Sequence, residues 1–120
     1  MISNYKILIS RVPRPTSFIS TRSKDGIANL APISYFQIVD HDPPTFVVEF
    51  FARTSRPKDT LVNLRETGEC VINILSDYMI EAVNVTSIDV PRGVSEWALS
   101  GLHATLSPTV KPSRVKEAVF

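Results

Sequence analysis

The chain has 120 residues, 43% hydrophobic and 21% charged, a balance that suits one globular domain over residues 1–120 and excludes a disordered chain. Thirteen basic and twelve acidic side chains leave +1, so no strong field directs it to nucleic acid or to anionic lipid. A single cysteine excludes an intramolecular disulfide, and with two distant histidines it makes no metal-ligand spacing.

Met1 to Lys6 does not open like a secretory signal, and no apolar run reaches membrane-spanning length. The expected address is therefore cytoplasmic, without a membrane. Residues 5–10 alternate weakly, as a strand or a helical turn would. Pro13 and Pro15 force an extended entry to 16–21, which is β-branched and aromatic enough for a strand. Asp25-Gly26 between two apolar runs signals a hairpin. The returning strand is expected over 27–35, with Pro32 marking a bulge or an edge.

His41-Asp42-Pro43-Pro44 reads as a rigid turn, and 45–51 as the strongest strand, apolar on both faces except at Glu49. A helix should begin near Lys58, with Asp59 or Thr60 as its cap, and end at Gly68. Residues 69–75 form another strand, with Cys70, Ile72 and Ile74 on one face. Ser76 or Asp77 can cap a second helix to about Val85. Pro91 and Gly93 mark a loop, 97–106 a further strand, and 107–120 an irregular tail. This order lacks regular βαβ alternation and predicts a mainly β fold with peripheral α, an antiparallel barrel or curled sheet.

Three segments gather polar chemistry. Residues 14–23 put five hydroxyls and two arginines around one strand and its turn, and 29–36 set small and polar groups beside aromatics. Arg53-Thr54-Ser55-Arg56-Pro57-Lys58-Asp59-Thr60 is a basic, hydroxyl-rich loop running into a helix start. Free N–H groups there favour an anion, and Lys58, Arg56 and the hydroxyls could complete a phosphate site. The plainer account is a solvated loop and an N-cap; for the first two segments it is a wet strand and ordinary core. Among the remaining candidates, His41 reads as a turn residue, His103 as a strand surface residue and Cys70 as a buried small hydrophobe. Trp97 suits the core or a dimer interface.

The residues Arg14-Pro15-x-x-Phe18-x-Ser20-Thr21 and Asp25-Gly26-x-x-Asn29-x-Ala31-Pro32-x-Ser34-x-Phe36 come first in an ordered run. Lys58-Asp59-Thr60-Leu61-x-Asn63, Asn84-x-Thr86-Ser87, Gly93-Val94-x-Glu96 and Gly101-Leu102 continue it. Together they resemble the flavin reductase-like family of FMN-binding split barrels. The resemblance implies a Greek-key-like antiparallel barrel, a homodimer, bound FMN and reduction of flavin by NAD(P)H. It also implies that Ser20, Thr21, Arg22 and Ser23 line the FMN, and that Asn29, Ala31, Pro32, Ser34 and Phe36 wall its ring and ribityl chain. Lys58, Asp59 and Thr60 fall at the phosphate end. No side chain is assigned as a catalytic acid or base, because the flavin itself carries the hydride chemistry. Family members continue past the position of Phe120, so a domain short at its C-terminus is expected. A flavin-binding or oligomerisation module without turnover is the alternative, and a chain that does not fold alone is a third.

Overall fold

The computed structural model describes residues 13–51 and 56–119. The segment at 5–10, and Arg53, Thr54 and Ser55 of the basic loop, lie outside the described residues.

Strand β1 (Ser17–Arg22) and strand β2 (Ala28–Ile33) pair antiparallel, with Ser17 opposite Ile33 and Arg22 opposite Ala28. The turn between them is the expected Asp25-Gly26 hairpin. Gly26 has φ 91°, where only a residue without Cβ is unstrained, and Ser23 N–H donates to Ile27 C=O at 2.8 Å. Strand β5 (Val71–Ile74) pairs with the other side of β1, giving the sheet order β2-β1-β5. Among the described residues β2 pairs only with β1, so Pro32 sits on an edge strand, where its missing N–H is tolerated.

The run 27–35 is not one strand. Pairing with β1 ends at Ile33, the chain bends at Ser34-Tyr35, and strand β3 (Phe36–His41) leaves in a separate hairpin with strand β4 (Pro44–Val48). The turn joining them holds a cis Asp42–Pro43 peptide. β4 also stops short of the expected 45–51. An unbroken apolar run ordinarily means a strand buried on both faces. Here, among the described residues, β4 pairs only with β3, and Phe46 and Val47 are exposed.

Helix α1 (Asp59–Thr67) starts where the sequence places it and ends on Gly68 in the left-handed conformation. Its cap differs from expectation: Lys58 is the N-cap, and no side chain caps the first turn. Thr60 instead turns inward and accepts a hydrogen bond from Asn29 Nδ2 at 3.0 Å. A 3-10 turn (Asp77–Met79) leads into helix α2 (Ile80–Thr86), close to the expected second helix.

The stretch 97–106 is not one strand but part helix, part turn and part strand. Helix α3 (Glu96–Ser100) occupies its first half, and only Ala104–Thr105, as β6, pairs with β7 (Arg114–Val115). Trp97 and Leu99 suggest a two-residue alternation, but Ser95 ahead of them and left-handed Gly101 behind them bound a short helix. Trp97 joins Phe18, Leu30, Met79 and Val115 in the core, so packing of α3 onto β2 fixes this choice.

Candidate functional site

The hydroxyls of β1 face neither water nor a ligand cavity. Ser17 Oγ donates to Ile33 C=O at 3.2 Å, and Ser20 Oγ donates to Ser113 C=O at 2.5 Å. Thr21 Oγ1 accepts from Asn63 Nδ2 at 3.1 Å and from Asn29 Nδ2 at 3.4 Å. Asn73 donates to Phe18 C=O at 2.9 Å and accepts from Val115 N–H at 2.8 Å, tying β7 to the central sheet. Each of these β1 hydroxyls is hydrogen-bonded from inside, which is the condition for leaving it out of water. Ser23 Oγ accepts from Ile27 N–H at 2.9 Å, and Arg22 Nε donates to Gly26 C=O at 3.1 Å, so both hold the hairpin turn. Phe36 stacks on Phe46 with centroids 5.5 Å apart.

The remaining expected site residues do converge. Asn29, Ala31, Pro32, Ser34, Lys58, Asp59 and Thr60 line one cavity of about 440 Å³. That volume lies within the range of small-ligand and cofactor sites. Ser20, Thr21, Arg22, Ser23 and Phe36 are not on its wall. β2 and the residues that follow it, together with the start of α1, thus contribute to one lining.

The cavity lining has two parts of different character. In one, the Arg14 guanidinium lies 4.7 Å from the centroid of the Tyr35 ring, and Phe51 meets that ring edge-on at 4.5 Å. This is an aromatic surface with a cation on it, suited to a flat conjugated ring. The lining also includes Arg56, Lys58 and the first turn of α1, whose unpaired N–H groups and dipole favour an anion. Among the described residues, no carboxylate stands within ion-pair distance of Lys58. Asp59 is held between two arginines, Arg92 Nη1 at 3.5 Å and Arg56 Nη2 at 3.9 Å. Arg56 also donates to Val90 C=O at 3.1 Å.

Sequence reasoning left several lining residues unassigned. Arg14, Tyr35, Phe51, Thr86, Ser87 and Glu96 all reach the cavity. Asn84-x-Thr86-Ser87 and Gly93-Val94-x-Glu96 stand in the ordered run of motifs, which is the signal that points to them. Their convergence depends on α2 and α3 packing together, which no local pattern reveals. Burial pushes the Glu96 carboxyl above the usual carboxylate range, and nearby Asp59 adds to the rise. Backbone N–H groups of Glu96 and Leu30 oppose it. Burial likewise raises the Cys70 thiol, keeping it protonated and unreactive. Among the described residues there is no cluster of metal-ligating side chains, and no helix is long and apolar enough to cross a membrane.

The family model described as flavin reductase like domain matches residues 9–120. An uncharacterized protein of Aquifex aeolicus is 39% identical over 116 residues, covering 95% of this chain and 59% of the relative. The crystal structure of nitrilotriacetate monooxygenase component B from Bacillus cereus superposes with a TM-score of 0.88 at 37% identity. That match covers 98% of this chain and 58% of the other. A Shewanella frigidimarina chain with a split barrel domain shares the fold, at TM-score 0.78 and 24% identity, over 88% of this chain and 51% of that one. The chain thus spans somewhat over half the length of these relatives. Ordered motifs, a mainly β architecture and the family match agree: the chain belongs to the flavin reductase-like domain family and has its split-barrel fold.

Proposed function

We propose that the chain binds FMN in the 440 Å³ cavity and serves as an oxidoreductase, passing reducing equivalents from NAD(P)H to flavin. The observation that carries this reading is that an aromatic cluster and a cationic helix start line one cavity. FMN has the matching ends, a flat conjugated ring and a phosphate. Family membership supports the choice of a flavin, and the similar monooxygenase component B supports an oxidoreductase role.

The residues present fit that cofactor. Lys58, Arg56 and the N–H groups opening α1 would hold the phosphate, and Tyr35 with Arg14 would border the ring. Asn29, Ala31, Pro32 and Ser34 form the β2 side of the wall, where backbone N–H groups can favour negative charge. Bound flavin accepts and donates the hydride itself, so the protein's work is binding, orientation and exclusion of water. A homodimer is part of the proposal, because the β3–β4 hairpin leaves Ile38, Val39, Phe46 and Val47 exposed. We place the protein in the cytoplasm on the same reading.

Titration with FMN, followed by quenching of flavin fluorescence, tests binding, and oxidation of NAD(P)H with added FMN tests turnover. Saturable quenching with turnover is expected. Quenching without turnover selects a flavin-binding module, and no quenching removes the reading. Lys58→Ala should weaken FMN roughly tenfold, about 1.4 kcal/mol, and leave riboflavin unchanged, since only FMN carries the phosphate. Equal weakening of both would take Lys58 away from the phosphate.

A further inference from the structure

The helix start proposed to hold the phosphate carries a carboxylate of its own. Asp59 opens α1 and lines the main cavity beside Lys58. A carboxylate in the first turn suits the helix dipole, but it opposes any anion bound at the same N–H groups. Its side chain is 16% exposed, so solvent screens its charge poorly. Asp89, which also lines the cavity near Arg56, is 83% exposed and is well screened.

Among the described residues Asp59 has two ion-pair partners, and they meet different oxygens. Arg56 Nη2 lies 3.9 Å from Oδ2, and Arg92 Nη1 lies 3.5 Å from Oδ1. The two arginines differ in where they stand. Arg56 lines the main cavity and is among the groups proposed for the phosphate. Arg92, in the loop ahead of α3, is not on that lining; with Asp59 it borders a separate space of about 20 Å³. Arg92 Nη2 also lies 3.9 Å from Glu66 Oε2. Asp59 and Glu66 are about two turns apart, so one face of α1 presents both carboxylates to Arg92. The guanidinium is thus fixed against the helix at two points, in reach of Asp59 and outside the ligand cavity.

We propose that Arg92 is a positioning residue for phosphate-bearing ligands. It neutralises Asp59 from outside the cavity, so that the carboxylate does not oppose a phosphate at the start of α1. Arg92 touches no ligand in this arrangement. It sets the preference for a phosphorylated over an unphosphorylated flavin through Asp59. The inference takes the identity of the ligand from the flavin reading.

The test is FMN and riboflavin affinity, by flavin fluorescence, in Arg92→Met and in Arg92→Met with Asp59→Asn. Arg92→Met should weaken FMN about fivefold, the order expected when one poorly screened charge is left uncompensated nearby. Riboflavin should stay within about twofold, because it has no phosphate for Asp59 to oppose. Adding Asp59→Asn removes that charge and should restore FMN to at least its affinity for the unsubstituted protein. A merely structural Arg92 gives a different pattern, in which both flavins weaken together and Asp59→Asn restores neither. That pattern overturns the inference, as does unchanged FMN affinity in Arg92→Met, or an FMN loss that Asp59→Asn leaves in place. If the double variant does not fold, Arg92→Lys decides. It keeps the charge, so retained FMN affinity supports the inference and a loss equal to that of Arg92→Met overturns it. Absence of saturable FMN binding in the unsubstituted protein removes the flavin reading, and the inference falls with it.

Discussion

The β2-β1-β5 sheet and the β3–β4 hairpin reverse what their side chains suggest. β1 carries Ser17, Ser20 and Thr21, and all three are buried. The hairpin carries Ile38, Val39, Phe46 and Val47, and all four are exposed. The difference lies in what each strand has for neighbours. β1 runs between two paired strands and under α1, and Asn29, Asn63 and Asn73 satisfy its polar groups from within. β3 and β4 have only each other among the described residues. Polarity therefore predicts exposure only when the partners of each group are known, and a hydroxyl-rich strand can be core if amides are supplied to it.

The strongest way to break this contrast is Asn73→Ala. It strips Val115 N–H of its acceptor and Phe18 C=O of its donor, both in the interior. A loss of about 2–4 kcal/mol is expected in urea unfolding, because buried groups left unpaired incur their full desolvation penalty. A loss under about 1 kcal/mol would mean that these amides do not hold the sheet.

On the hairpin the expectation is opposite. Val47→Thr, at a position 52% exposed, should change stability by less than about 0.5 kcal/mol at low protein concentration. A melting temperature that rises with concentration in the unsubstituted protein and not in the variant would show a second copy covering this face.

The smallest effect concerns the pair that clips the C-terminal segment to β6. Glu117 accepts from His103 N–H at 3.1 Å and lies 2.5 Å from His103 Nδ1. Desolvation raises the Glu117 carboxyl, but the hydrogen bonds from His103 and from its own backbone outweigh this and leave it lowered. A group lowered in the folded state stabilises above its unfolded pKa of about 4.3, and that contribution is lost as pH falls through the folded value. The stability gap between the unsubstituted protein and Glu117→Gln should thus be constant near neutrality and close in acid. A gap that persists unchanged into acid would mean that the carboxylate charge is not involved.

Much of the fold was legible in the residues because it depends on local conformational preference. Asp25-Gly26 fixed the first hairpin, Gly68 ended α1, and Pro32 required a bulge or an edge, each through backbone freedom or a missing donor. That the start of α1 lines the cavity of the proposed site agrees with the same kind of local argument, since free N–H groups favour an anion wherever a helix begins. Other features were not local. Five residues are too few for helical periodicity, so α3 read as a strand until packing placed Trp97 in the core. His103 had no carboxylate near it in sequence, and β6–β7 pairing brings Glu117 to it across fourteen positions. Sequence by itself determined the turn of the first hairpin and the start and end of α1. Tertiary structure alone decided which hydroxyls became core, which apolar strand stayed open, and that Arg14, Tyr35 and Glu96 share a cavity with α1. The reason is that turns and caps follow from φ, ψ and one or two neighbours, whereas burial and electrostatics depend on groups far apart in the chain.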